Sequence, residues 1–156
     1  VTDRQLSSIL RTTSNRIITE IIMEAKSLTT SDRLVAGKTA FEEITGLPAS
    51  AFLDGLADLA PNFGRFVMEW EFADVYGSSS LDLKTRETIM IAACAALGAT
   101  AAPILKLRIG SALRAGVSRE EIIDICVQVG IAAGLPAALA AIQTAGSVFA
   151  SVENPS

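Results

Sequence analysis

The residues that could carry chemistry in this chain are defined first by one that is missing: there is no histidine. A Ser-His-Asp or Cys-His relay therefore cannot form. A zinc site built from His and Cys lacks ligands, because the only two cysteines, Cys94 and Cys126, stand far apart. No glycine-rich phosphate loop and no EF-hand pattern is present. What remains is carboxylates, arginines, one tyrosine (Tyr76), one tryptophan (Trp70) and the two thiols. Both cysteines lie in apolar helical stretches and read as small core residues in a reducing compartment rather than a redox pair. Phe63, Phe66, Val67 and Trp70 recur at helical spacing, which predicts a core face, with a pocket wall for a flat substrate as the alternative. Glu69 and Glu71, flanking Trp70, read as solvated.

The elements that must position these residues are all helices. Leu6, Leu10, Ile17, Ile18, Ile21 and Ile22 recur at intervals near three and four, predicting a helix over 2–27. Residues 1–28 read as a helical extension, packed on a neighbouring subunit or forming the first helix of the same core, and 29–156 as the main domain. Thr29-Thr30-Ser31-Asp32 has the form of a helix start, and Gly46 and Pro48 close that helix. A short segment follows over 50–60, and Pro61 suits the first turn of a helix reaching Tyr76. The Gly77-Ser78-Ser79-Ser80 run is a loop, which Asp74 could cap or brace. Asp82 is an N-cap for a helix ending at Gly98. Pro103 opens another, and Ser118 with Glu121 forms a capping box for the next. Gly134-Leu135-Pro136 precedes a last helix over 136–152. No strand-like alternation appears.

Composition narrows the classes. Half of the 156 residues are hydrophobic and 19% are charged, and the mean hydropathy is +0.43. Ordinary chains carry about 25% charged residues, so the apolar excess predicts burial at a subunit interface and hence a homo-oligomer. A net charge of −4 without a basic cluster argues against nucleic acid. The uncharged stretches 88–105 and 125–152 are rich in Ala and Gly, are interrupted by Pro103 and Pro136, and lack aromatic belts, so they read as buried helices rather than membrane spans. The first residues are polar and charged, unlike a signal peptide. A cytoplasmic location follows as the expectation.

From Val35 to Phe149 the order of features resembles the carboxymuconolactone decarboxylase family, which includes alkyl hydroperoxidase D. Phe72-Ala73-Asp74-Val75-Tyr76 resembles the family's F-G-D-[VI]-Y, and Leu81 to Glu87 resembles L-D-x-K-T-R-E. Pro103 to Ile109 stands where relatives read P-Q-L-K-V-H-I. Ala112 to Ile122 resembles A-L-x-x-G-V-T-x-E-E-I, and Ala133 to Ala138 resembles Y-[AC]-G-[FY]-P-A-A. The resemblance implies an all-α single-domain bundle of about 6–8 helices. It further implies assembly into rings, commonly trimers or hexamers, with pockets near subunit contacts.

The departures from the pattern carry the functional expectation. The family's proton-transferring histidine falls on Arg108, and the C-x-x-C positions of the peroxidase branch are Ala101 and Ile104. Thiol peroxidase chemistry is thereby excluded, and no cofactor or metal is implied. Arginine keeps its proton near neutrality. It is suited instead to holding a carboxylate or a developing oxyanion in its planar fork. Glu87 stands at the position of the peroxidase carboxylate, so the resemblance implies that Glu87 and Arg108 face each other, in a pocket or as a structural salt bridge. Tyr76 is the remaining acid or hydrogen-bond donor. Cys94 lies two turns from Glu87, and Cys126 and Gln128 precede Gly134; with Trp70 and Phe66 these are the candidate substrate-binding residues. Two readings follow. One is a lyase, isomerase or cyclase of secondary metabolism acting on a hydrophobic acid, lactone or polyketide-like small molecule. The other is a non-catalytic oligomeric binding or scaffolding protein.

Overall fold

The computed structural model describes residues 32–153, and no strand occurs among them. The helices in chain order are α1 (residues 32–45), α2 (Ala49–Asp54), α3 (Pro61–Phe66), α4 (Leu83–Ala96), α5 (Ala102–Arg114), α6 (Arg119–Ala133) and α7 (Leu135–Glu153). A π-helix (Val67–Tyr76) continues α3 without a break, and a 3₁₀ turn (Gly98–Ala101) precedes α5. The all-α expectation holds. The helix expected over 2–27 and the start signal at 29–31 lie outside the described residues. The described chain divides into two compact units, 32–40 with 52–77 and 41–51 with 78–153.

The larger unit is built by local signals that act as their chemistry dictates. Asp82 accepts a hydrogen bond from the Thr85 N–H at 2.9 Å and starts α4. At α6, Ser118 Oγ accepts from the Glu121 N–H at 3.1 Å while Glu121 accepts from the Ser118 N–H at 2.7 Å, a complete capping box. Gly98, Gly116 and Gly134 have φ of 68°, 85° and 90°, a region that side chains resist, and so they end the helices before them. Helix α4 packs on α5, α6 and α7, and α6 on α7. The seam is a stripe from each helix: Ile91 and Ala95 of α4, Leu105 and Ile109 of α5, Ile122 and Cys126 of α6, Ala141 and Ala145 of α7. Alanines along α7 let the helices approach closely, and a Cβ on Gly130 would stand 3.0 Å from Ala138. By length and composition α7 could cross a membrane, yet its Ala141 and Ala145 are buried in this core.

The smaller unit departs from the α-helical reading. Phe63, Phe66 and Trp70 are 57%, 53% and 67% exposed, so among the described residues they do not form the expected core face. Along α3 and the π-helix the buried residues are Gly64, Met68, Glu69, Phe72 and Tyr76, four of them in a row at every fourth position. From Val67 onward the hydrogen bonds run i→i+5. Glu69, expected to be solvated, is buried there, with its Oε1 3.8 Å from Arg65 Nε. Gly37 of α1 lies directly on this helix, since a Cβ there would fall 2.0 Å from the Met68 carbonyl oxygen.

Candidate functional site

Two charged side chains sit in the apolar seam of the larger unit. On α4 the buried positions are Glu87, Ile91, Cys94 and Ala95, one helical stripe whose first member is a carboxylate. On α5 they include Leu105, Arg108, Ile109 and Ala112, again one stripe with an arginine inside it. The α4–α5 packing brings the two together: Arg108 Nη1 lies 3.7 Å from Glu87 Oε1, with the side chains 3% and 0% exposed. Burial pushes the Arg108 pKa down to about 10, which still leaves it cationic at neutral pH. The facing arrangement implied by the resemblance is therefore a buried ion pair.

Both thiols are buried in the same core. Burial raises the Cys94 pKa, and the negative charge of Glu87 raises it further, which places Cys94 within electrostatic reach of the carboxylate. Burial also raises the Cys126 thiol. Neither cysteine is poised as a thiolate nucleophile. Ser111, one turn beyond Arg108, is fully buried and its hydroxyl donates to the Leu107 carbonyl at 3.2 Å.

A groove of about 570 Å³ runs between α4 and α6, lined by Thr88, Ala92, Val117, Glu121, Asp124, Ile125, Gln128 and Val129. Its size suits a small organic molecule. Gln128, expected beside Glu87 and Arg108, lines this groove, whereas Glu87, Arg108, Cys94 and Cys126 are not among its lining residues. Glu121, Asp124, Ile125, Gln128 and Val129 recur at helical spacing, a signal readable from the sequence. Lys84 Nζ closes on Glu121 Oε1 at 2.9 Å.

Tyr76, Phe66 and Trp70 belong to the smaller unit. Tyr76 is buried with its ring stacked on Phe72, centroids 5.4 Å apart. Phe66 and Trp70 are exposed, and Arg65 lies over the Phe66 ring at 5.6 Å. The side-chain oxygens of Asp74 accept from Arg33 Nε, at 3.0 Å, and from an Arg33 Nη. Its backbone carbonyl accepts from the Gly77 N–H at the start of the loop. Arg33 and Asp74 had not been paired in advance, because contacts between distant segments leave no local signal. Among the described residues no group of three His, Cys, Asp or Glu is placed to hold a metal ion.

Comparison with known proteins agrees with this geometry. The carboxymuconolactone decarboxylase family model matches residues 61–146. An uncharacterized 15.0 kDa protein of Paracoccus denitrificans, from the nqo9–nqo10 intergenic region, is 35% identical over 92 residues, 59% of this chain and 69% of its own length. A 4-carboxymuconolactone decarboxylase of Acinetobacter baylyi is 29% identical over 97 residues, 62% of this chain and 71% of its own.

Proposed function

The chain belongs to the carboxymuconolactone decarboxylase family, and from that premise we propose that it is a divergent enzyme of lyase, isomerase or cyclase type. Its substrate is a hydrophobic acid, lactone or polyketide-like small molecule of secondary metabolism, turned over in the cytoplasm by a homo-oligomeric ring, a trimer or hexamer. The observation that carries the reading is the Glu87–Arg108 pair set into an otherwise apolar seam. Taking two charges out of water costs several kcal/mol per ion, and apolar residues of similar volume would pack at least as stably. A retained buried pair at the position of the family's proton-transferring residue fits a charge kept for use. Arg108, cationic at neutral pH, anchors a carboxylate or stabilises an enolate oxygen, and Glu87 moves a proton. The mostly apolar groove beginning at Thr88 holds the substrate body, with Gln128 as a polar contact. Cys94 and Cys126 supply neutral wall. A second apolar groove along α6 and α7, lined by Val127, Leu135, Pro136 and Leu139, supports assembly.

The test is a panel of hydrophobic carboxylic acids and lactones with neutral esters as controls, read by thermal shift and by mass spectrometry of products. The wild type should be stabilised by acids and not by esters. Arg108→Met should fold, lose that preference and lose any turnover. Acid binding or turnover unchanged in Arg108→Met would overturn the role given to Arg108. A non-catalytic binding or scaffolding protein is the second reading, favoured by the small exposure of Arg108, 2% in the single chain. It predicts that no acid in the panel binds or reacts, and that Glu87→Leu/Arg108→Met assembles like the wild type.

A further inference from the structure

The larger unit holds a second recess that shares no lining residue with the α4–α6 groove. It opens between the 3₁₀ turn, α5 and α7 and has a volume of about 330 Å³. Ala102 and Lys106 stand one turn apart on α5, and Ala140, Gln143, Thr144 and Ser147 lie three or four apart on α7, so each helix offers one continuous face. Helix α7 packs on both α5 and the 3₁₀ turn, which brings these faces together. The alanines, with Ala99 of the turn, leave the room between them.

The polar groups of the recess are of one electrical kind. Lys106 is the only charged residue among its walls. No charged residue occurs over 88–105 or 125–152, so the segments that frame it bring no carboxylate. Thr144 and Ser147 donate their hydroxyls to the Ala140 and Thr144 carbonyls, each at 2.7 Å, and keep lone pairs as acceptors. Among the described residues neither Lys106 nor Gln143 makes a side-chain hydrogen bond or ion pair. The open donors are therefore the ammonium of Lys106 and the amide of Gln143.

A cation and an amide donor without a competing carboxylate complement an oxyanion. Volume decides between a bare ion and a larger ligand. A water takes about 30 Å³, so the recess has room for roughly ten, far more than one phosphate or carboxylate group fills. The remaining space, walled by alanine methyls and the acceptor oxygens of Thr144 and Ser147, fits a short apolar or hydroxylated body.

We propose that the recess between α5 and α7 is a second ligand site, which binds a small organic phosphate or carboxylate through Lys106 and Gln143. It is separate from the buried ion pair. Lys106 is two positions from Arg108, so the two do not share a face of α5: Lys106 is exposed and Arg108 is in the core.

Phenyl phosphate, benzoate and neutral benzyl alcohol, titrated into the full chain and followed by amide NMR, test the site. Phenyl phosphate or benzoate should give saturable shifts centred on the Gln143 side-chain amide and the backbone amides of Ala102, Lys106 and Ser147. Benzyl alcohol should give none. The tighter of the two anions tells whether the site takes phosphates or carboxylates. Lys106→Met keeps the apolar stem and should weaken binding about tenfold or more, whereas Lys106→Arg should retain most of it. Ala99→Leu leaves the charge and narrows the recess, and should weaken binding as well. The absence of saturable binding by either anion, or shifts scattered over unrelated surface residues, would overturn the proposal. So would undiminished binding in Lys106→Met, including benzoate binding lost only in Arg108→Met, which would assign the acid to the buried pair.

Discussion

Arg33–Asp74 in the smaller unit and Glu87–Arg108 in the larger are both arginine–carboxylate pairs between distant segments, and the two are opposites. In the smaller unit Arg33 and Asp74 meet in a two-pronged hydrogen bond with both side chains about two-fifths exposed. In the larger unit Arg108 and Glu87 are sealed in the core yet stand 3.7 Å apart, beyond hydrogen-bond distance. The first has the better geometry and solvent screens it; the second has the looser geometry and nothing apolar around it dilutes its field. Good contact geometry is thus no guide to energetic weight here. Burial decides, because the cost of stranding a charge depends on where water can reach.

The sharpest way to break this contrast is to remove one carboxylate from each pair. Glu87→Leu takes from buried Arg108 its carboxylate, and should cost about 3–5 kcal/mol of unfolding free energy. Glu87→Leu/Arg108→Met should recover most of that loss, because two apolar side chains restore the seam. Asp74→Ala should shift the urea midpoint far less. Chemical denaturation of the four proteins checks the ordering, and a Glu87→Leu midpoint close to that of Asp74→Ala would remove the distinction between the two pairs.

A second contrast is steric and separates the units by their tolerance of one carbon. Gly37→Ala would drive a Cβ into the Met68 backbone, with no flexible side chain to yield. It should destabilise by about 1–3 kcal/mol or more, with hydrogen exchange accelerating first in α1 and the π-helix. Gly110→Ala, in the middle of α5, meets nothing within 4 Å. It should stabilise by about 0.5–1 kcal/mol, because alanine favours the helix and restricts the unfolded chain. A loss of stability in Gly110→Ala would mean that the α5 surface is covered by something outside the single chain.

The two units also differ in how much of them could be read from sequence. In the larger unit the caps at Asp82 and Ser118, the stops at Gly98, Gly116 and Gly134, and the helix boundaries were legible, since each depends on residues within one turn. Glu87 and Arg108 were legible only through the family pattern. Nothing local joins two residues on different helices, and by composition alone both would be placed at the surface. In the smaller unit the pattern misled. Phe63, Phe66 and Trp70 share helical spacing, but spacing alone does not say which face is covered: the buried row is Gly64, Met68, Phe72 and Tyr76. Glu69 was placed in water by its charge, and it is buried. The Arg33–Asp74 pair left no local trace.

The smallest expected effect is a pH dependence that belongs to the larger unit's helix starts. The Asp82 carboxyl is held below its ordinary value by the Thr85 N–H and hydroxyl, and Glu121 by the Ser118 N–H and then by Lys84. A carboxyl whose folded pKa is lowered adds stability that is fully present above its unfolded value, near pH 4, and lost as pH falls through the folded value. Both groups are exposed, so the effect is modest and should weaken with salt. Stability measured by urea should therefore be flat from pH 7 to about 5 with respect to these groups, then decline in acid. Asp82→Asn keeps a capping oxygen that does not titrate, and should make the decline shallower while leaving the neutral-pH midpoint nearly in place. If the acid limb of Asp82→Asn matched the wild type, the ionised cap would contribute nothing to α4. The acid sensitivity of the larger unit would then have to come from its interior.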